Sequence, residues 1–179
     1  GTQYANMGAK LYQSEPQFRA YVDECCEILR PHLGCDLREV IYPAAGKETA
    51  AQESLRNTFY TQPAIFTIEY AIARWWMNLG VQPSMMAGHS IGEFVAATLA
   101  GVFELPEVLR VVAARGRLMQ SMPNGSMLSV RAPAAEVQAC LTPDIQLATI
   151  NGPTLCVVAG PTDKIAETKT AFEGRGWIC

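Results

Sequence analysis

The stretch "MMAGHSIGEF", residues 85–94, decides how this chain is read. It places Ser90 between Gly88 and Gly92, directly after His89, where an apolar run ends. The preceding "SMMAG" reads as a short strand after Pro83, and "SIGEFVAATLAG" as a helix closed by Gly101. A Gly-x-Ser-x-Gly run between a strand and a helix is the nucleophile-elbow arrangement, which projects the serine at the strand's end. Small residues at 88 and 92 permit the sharp turn. The helix's first free N–H groups, Ile91's foremost, then face the serine as donors to an oxyanion. The alternative is a serine that merely caps its helix; the strand–helix context favours the nucleophile.

A serine nucleophile needs a base. His89 leaves the elbow in a different direction from Ser90. His32 falls at a predicted helix end, where a solvated or C-capping histidine is the ordinary reading. The base is therefore expected outside these residues.

Outward from the elbow, the pattern is helix, strand, tight turn, helix, the grammar of an α/β domain. "SEPQFRAYVDECCEILRPHLG" reads as a helix capped by Ser14, with Phe18, Val22, Cys25/Cys26 and Leu29 on one face. "GKETAAQESLRN" reads as polar and exposed. A second helix is expected from about Pro63 to Leu79, stopped by Gly80 and apolar nearly all round, so buried. A third runs through "LPEVLRVVAARGRLMQSMP". From Gly125 the character changes to strands "SMLSV", "IQLATI" and "TLCVVAG", with helices "PAAEVQACL" and "PTDKIAETKTAFEGRG". "WIC" reads as the opening of a last strand. That order is the split βαβ, ferredoxin-like pattern with its final strand incomplete. We expect an α/β core over residues 1–124, a small subdomain over 125–179, and a chain truncated at its C-terminus.

Composition narrows the function. The 179 residues carry a formal charge of −3, which argues against nucleic-acid or anionic-membrane binding. No apolar run reaches the length of a membrane span, and the N-terminus has no signal-peptide pattern. The six cysteines show no CxxC spacing and only two histidines are present, so no metal site is expected and reduced thiols in a cytoplasmic protein are the simplest reading.

In the helix beginning at Pro106, Val108, Val111, Val112, Leu118, Met119 and Met122 form one face, and Arg115 sits among them. A cation on a core-facing stripe is costly unless an anion meets it. Guanidinium is also the group best shaped to hold a carboxylate in two parallel hydrogen bonds. Periodicity alone favours an internal ion pair over a substrate carboxylate.

Taken together, "GHSIGEFVAATLAGVF" and "VVAARGRLMQSMPNGSMLSV" resemble the malonyl-CoA:acyl carrier protein acyltransferase family, most closely the acyltransferase domains of modular polyketide synthases. "YTQPAIFTIEYAIARWW" and "INGPTLCVVAGP" extend the resemblance over essentially the whole chain. It implies a hydrolase-like α/β core with the ferredoxin-like subdomain. It implies that Ser90 becomes acylated, that His89 shapes the turn, and that Arg115 pairs with the acyl carboxylate. Gln62 matches the glutamine of the family's "TQPA" segment near the acyl pocket; a residue placed only by the helix start at Pro63 is an equal reading.

The resemblance also implies two features absent from these residues: a "GQGSQ"-like loop giving a second oxyanion N–H, and an "HAFHS"-like segment carrying the base histidine. Ile91 and "TFYTQ" (Thr58 to Gln62) look like the malonyl type. The implied reaction is a ping-pong transfer from malonyl-CoA to the phosphopantetheine thiol of an acyl carrier protein, beside further polyketide synthase domains and with no metal or redox cofactor. A free-standing malonyltransferase of fatty acid synthesis, a serine hydrolase or thioesterase, and a silent docking piece are the rivals.

Overall fold

Apolar residues at helical spacing organise the first half of the chain. In the computed structural model, which describes residues 2–179, a short α1 (Ala9–Ser14) leads into α2 (Pro16–Leu33). Phe18, Val22, Cys25, Cys26 and Leu29 of α2 are fully buried. Ser14 does not cap this helix: it closes α1, and Glu15 occupies the N-cap without a side-chain bond. Pro16, with its φ already near the helical value, starts the helix instead.

Two short helices follow, α3 (Leu37–Ile41) and α4 (Glu48–Ser54). The second lies within the segment read as merely polar, and is held down by buried Ala51 and Leu55. Asp36 caps α3 by accepting the Arg38 N–H at 3.0 Å. The Arg38 guanidinium binds that same carboxylate and reaches Asp23 and Glu27 on α2. One arginine thus ties α3 to α2.

α5 (Thr58–Asn78) begins five residues before Pro63, which corrects the expected start. The Asn57 side chain accepts the Phe59 N–H at 2.9 Å, and Thr61 Oγ1 donates to the Asn57 carbonyl at 3.0 Å. This cap fixes the first turn upstream, so Pro63 sits inside the helix, where it donates nothing to the ladder. Gly80, at φ 93, ends it as expected. α6 (Ile91–Leu99) and α7 (Leu105–Ser121) complete the first unit, with α5 packed against α2, α6 and α7.

The expected strand at "SMMAG" is not formed. Residues 81–87 are exposed, Met85 almost completely, and none pairs with a neighbour. A strand is defined by its ladder, and among the described residues the first unit holds no other strand to supply one.

The chain divides after Met122, and the second unit is Pro123–Cys179. It comprises β1 (Gly125–Val130), α8 (Ala134–Gln138), β2 (Gln146–Gly152), β3 (Leu155–Pro161) and α9 (Thr162–Glu173). The sheet order is β1-β3-β2, with both pairings antiparallel. Along β1 the buried Leu128 and Val130 alternate with exposed neighbours, giving one covered face. They meet Cys156, Val158, Ile165 and Phe172 in a separate core. An isolated bridge from Arg131 to Ile178 adds to the free side of β1. The architecture is mixed α and β, with the strands confined to this small antiparallel sheet among the described residues.

Candidate active site

The elbow is formed although its strand is not. Ser90 has φ 54 and ψ −114, a backbone conformation that a side chain rarely adopts, and α6 starts at the next residue. Such a conformation costs about 1–3 kcal/mol and persists only where the surroundings impose it. Here close backbone approach imposes it: a Cβ on Gly88 would overlap the Glu93 nitrogen and the Gly92 carbonyl carbon. The two glycines are not equivalent. A Cβ on Gly92 would meet only Glu69 Oε2, at 3.6 Å.

The first turn of α6 leaves one donor over. The Gly92 N–H bonds to the His89 carbonyl and the Glu93 N–H to the Ser90 carbonyl, each at 3.1 Å. The Ile91 N–H finds no backbone acceptor among the described residues. It lies at the helix's positive end, beside Ser90.

Arg115 comes to the same place from α7. Its Nη2 donates to Ser90 Oγ at 3.3 Å, and its Nη1 donates to Gln62 Oε1. Ser90 before α6, Arg115 of α7 and Gln62 of α5 therefore meet. Gln62 is buried, and its place in the second turn of α5 follows from the start at Asn57 rather than from Pro63. The internal ion pair favoured by periodicity is not made: none of the ion pairs among the described residues includes Arg115.

The face of α7 also differs from expectation. Val108 and Val112 are buried, together with Leu109, Ala113 and Gly116, whereas Val111, Leu118, Met119 and Met122 are exposed. Gly116 lets α7 approach α5 closely, and the packed face turns away from the larger apolar residues. Arg115 flanks this packed face, half-buried rather than enclosed.

Neither histidine bonds to Ser90. His89 is exposed and lines a groove of about 450 Å³ with Glu69, Met85, Met86 and Leu99, whose lining does not include Ser90, Arg115 or Gln62. His32 lies in the last turn of α2. Among the described residues no cluster of His, Cys, Asp or Glu is arranged to hold a metal ion, and all six cysteines are free thiols. No helix among the described residues is long and apolar enough to cross a membrane. What sequence reasoning missed is the ring beneath Arg115: its guanidinium carbon lies 5.9 Å from the Phe94 centroid. The signal was present, since Phe94 follows Ser90 by one helical turn.

Comparison with known proteins shows the family. The sequence profile described as the acyl transferase domain matches residues 1–178. The chain is 38% identical over 176 residues to a phenolphthiocerol/phthiocerol polyketide synthase of Mycobacterium tuberculosis, covering 98% of this chain and 11% of that protein. Among solved structures, the acyltransferase domain from the second module of the salinomycin polyketide synthase superposes with a TM-score of 0.88 at 45% identity, covering 99% of this chain and 41% of that one. A malonyl CoA-acyl carrier protein transacylase from Clostridium perfringens superposes with a TM-score of 0.81 at 25% identity, covering 99% and 56%. The chain thus spans a small part of the curated synthase it matches and less than half of the solved polyketide synthase domain.

Proposed function

This chain belongs to the acyl transferase domain family, and we propose on that premise that it moves a malonyl unit from malonyl-CoA to an acyl carrier protein in polyketide assembly. The observation that carries the proposal is Arg115: a guanidinium held 3.3 Å from Ser90 Oγ with no carboxylate partner of its own among the described residues. A cation so placed beside a nucleophile suits an acyl group that ends in a carboxylate.

In the first step Ser90 Oγ bonds to the thioester carbon, the carbon–sulfur bond breaks, and coenzyme A leaves as its thiol. The Ile91 N–H donates to the oxyanion formed on the way. Arg115, oriented by Gln62, holds the malonyl carboxylate. Ser90's proton passes to a histidine base and from it to the departing sulfur; we place that histidine outside these residues because neither His32 nor His89 bonds to Ser90. In the second step the phosphopantetheine thiol of the carrier takes the acyl group and Ser90 regains its proton. Neither step calls for a metal or redox cofactor. We assign His89 to shaping the turn, and read the two units as the hydrolase-like core and the ferredoxin-like subdomain of the family, working beside other synthase domains.

Intact-protein mass spectrometry of the natural polypeptide that carries this chain tests the reading. Incubation with malonyl-CoA is expected to give a malonyl adduct that Ser90→Ala abolishes, and Arg115→Ala is expected to erase the preference for malonyl- over acetyl-CoA. A folded protein with no adduct from malonyl-, methylmalonyl- or acetyl-CoA overturns it. An adduct indifferent to Arg115 favours a serine hydrolase or thioesterase.

A further inference from the structure

Arg115 is half-buried, and no acid side chain among the described residues pairs with it, so its orientation rests on neutral neighbours. The Arg115 guanidinium carbon stands 5.9 Å from the Phe94 ring centroid. Phe94 is half-buried, and its ring stacks on Phe103, with centroids 6.3 Å apart and planes 20° from parallel. Phe103 lies in the turn between α6 and α7, so the helix bearing the ring and the helix bearing the arginine are joined just behind the stack. Thr98 Oγ1 donates to the Phe94 carbonyl at 2.6 Å, one turn further along α6.

We propose that Phe94 is the positioning residue for Arg115, a ring that supports the guanidinium from beneath so that its N–H edge stays turned to Ser90 and open to a substrate carboxylate. The proposal rests on reading Arg115 as the carboxylate holder. The division of labour follows from the shape of the group. A guanidinium donates hydrogen bonds only in its plane, and an aromatic ring attracts it through the negative charge density of its π face. An acid at position 94 would hold the arginine equally well but would consume the N–H edge that the substrate needs. A ring holds it and leaves that edge free. Gln62, a neutral acceptor, fixes the rotation of the same group and occupies one donor.

The same helix therefore sets both partners of the reaction. Its first residue follows the nucleophile, and its fourth supports the group that selects the acyl chain. An aromatic at position 94 is thus predicted to favour carboxylated over neutral acyl groups.

The test uses the natural polypeptide and reads kcat/KM for acylation by malonyl-CoA and by acetyl-CoA. Phe94→Leu removes the ring while keeping much of its volume, and Phe94→Tyr keeps the ring. The leucine variant is expected to lower the malonyl-to-acetyl ratio by about fivefold to thirtyfold, the worth of one partly desolvated cation–π contact, chiefly through KM for malonyl-CoA. Tyrosine is expected to restore the ratio. Phe103→Leu, which removes the stack from behind, is expected to shift the ratio in the same direction and serves if Phe94→Leu does not fold. An unchanged ratio in whichever leucine variant is folded overturns the proposal, as does a parallel fall with both substrates. Arg115→Ala separates the two failures. If it collapses the ratio while Phe94→Leu does not, only the role of Phe94 is lost; if it leaves the ratio unchanged, the carboxylate-holder reading falls and this one with it.

Discussion

Gly116 of α7 lies so near Thr58 of α5 that a Cβ added to it would stand 2.8 Å from the Thr58 carbonyl oxygen. The crossing is fixed further by Gln120, whose Oε1 accepts from the Thr58 N–H and from Thr58 Oγ1, each at 3.0 Å. In a free helix, alanine would be better than glycine by about 1 kcal/mol. Here Gly116→Ala is expected to destabilise by about 1–3 kcal/mol, as over-packing does. It is also expected to lower acylation by malonyl-CoA, because Arg115 is the adjacent residue. A thermal melt gives the sign at once: a rise in Tm means that the helices part freely.

Gly88 and Gly92 are expected to differ sharply. Gly88→Ala pushes a carbon into the Gly92–Glu93 backbone, so the elbow opens and Ser90 moves. A displacement of about 1 Å costs about a hundredfold in rate. Gly92→Ala meets only a flexible carboxylate and is expected to keep most of its activity. Rates of adduct formation by mass spectrometry compare the two.

Ser90 itself is strained. Ser90→Gly is expected to raise stability by about 1 kcal/mol, because glycine adopts φ 54 without the clash. Ser90→Ala loses the hydroxyl and keeps the strain, so it gains nothing. Neither variant forms an adduct. Denaturant unfolding of the pair, at matched m-values, measures the energy held in the elbow.

Acid sensitivity is expected from the α2–α3 tie. Hydrogen bonds from the Arg38 side chain hold the Asp36 carboxyl down at about 2, against the usual 3.8, with burial opposing them. A carboxyl whose folded value is depressed adds stability that is fully present above its unfolded value and is lost as pH falls through the folded one. Stability is therefore expected to decline from about pH 4 towards pH 2. Asp36→Asn is expected to be less stable at neutral pH and to show a flatter decline over that window, read by unfolding at several pH values.

The parts of the chain that were legible in its sequence are those where chemistry and period coincide. Phe18 to Leu29 marks α2, and Gly-His-Ser-Ile-Gly marks the elbow, because the close backbone approach at Gly88 admits no side chain. The short helices α3 and α4 were not legible, since two or three buried residues make no periodic signal. The start of α5 was hidden because Pro63 is a strong helix opener, and the cap at Asn57 acts six residues earlier. The face of α7 was misjudged because hydrophobicity points to Leu118 and Met119, whereas the close approach at Gly116 turns them outward. The strand at "SMMAG" shows the limit of local reading, because a ladder is a property of two segments. At the candidate site, Ser90 and Arg115 were legible as residue types. That Gln62 takes up one donor of the arginine was not, because the bond joins positions 53 apart.

That last bond sets a rule for recombining this domain with its relatives. Segments 58–78 and 105–121 share a half-buried polar contact and a glycine-close crossing, so a chimera with a junction between them inherits mismatched halves of both. Crossovers placed after Met122 keep the pair in one parental block. Libraries meant to change acyl choice should vary positions 62, 94 and 115 as a single linked set, since a substitution at one alters what its neighbours can accept.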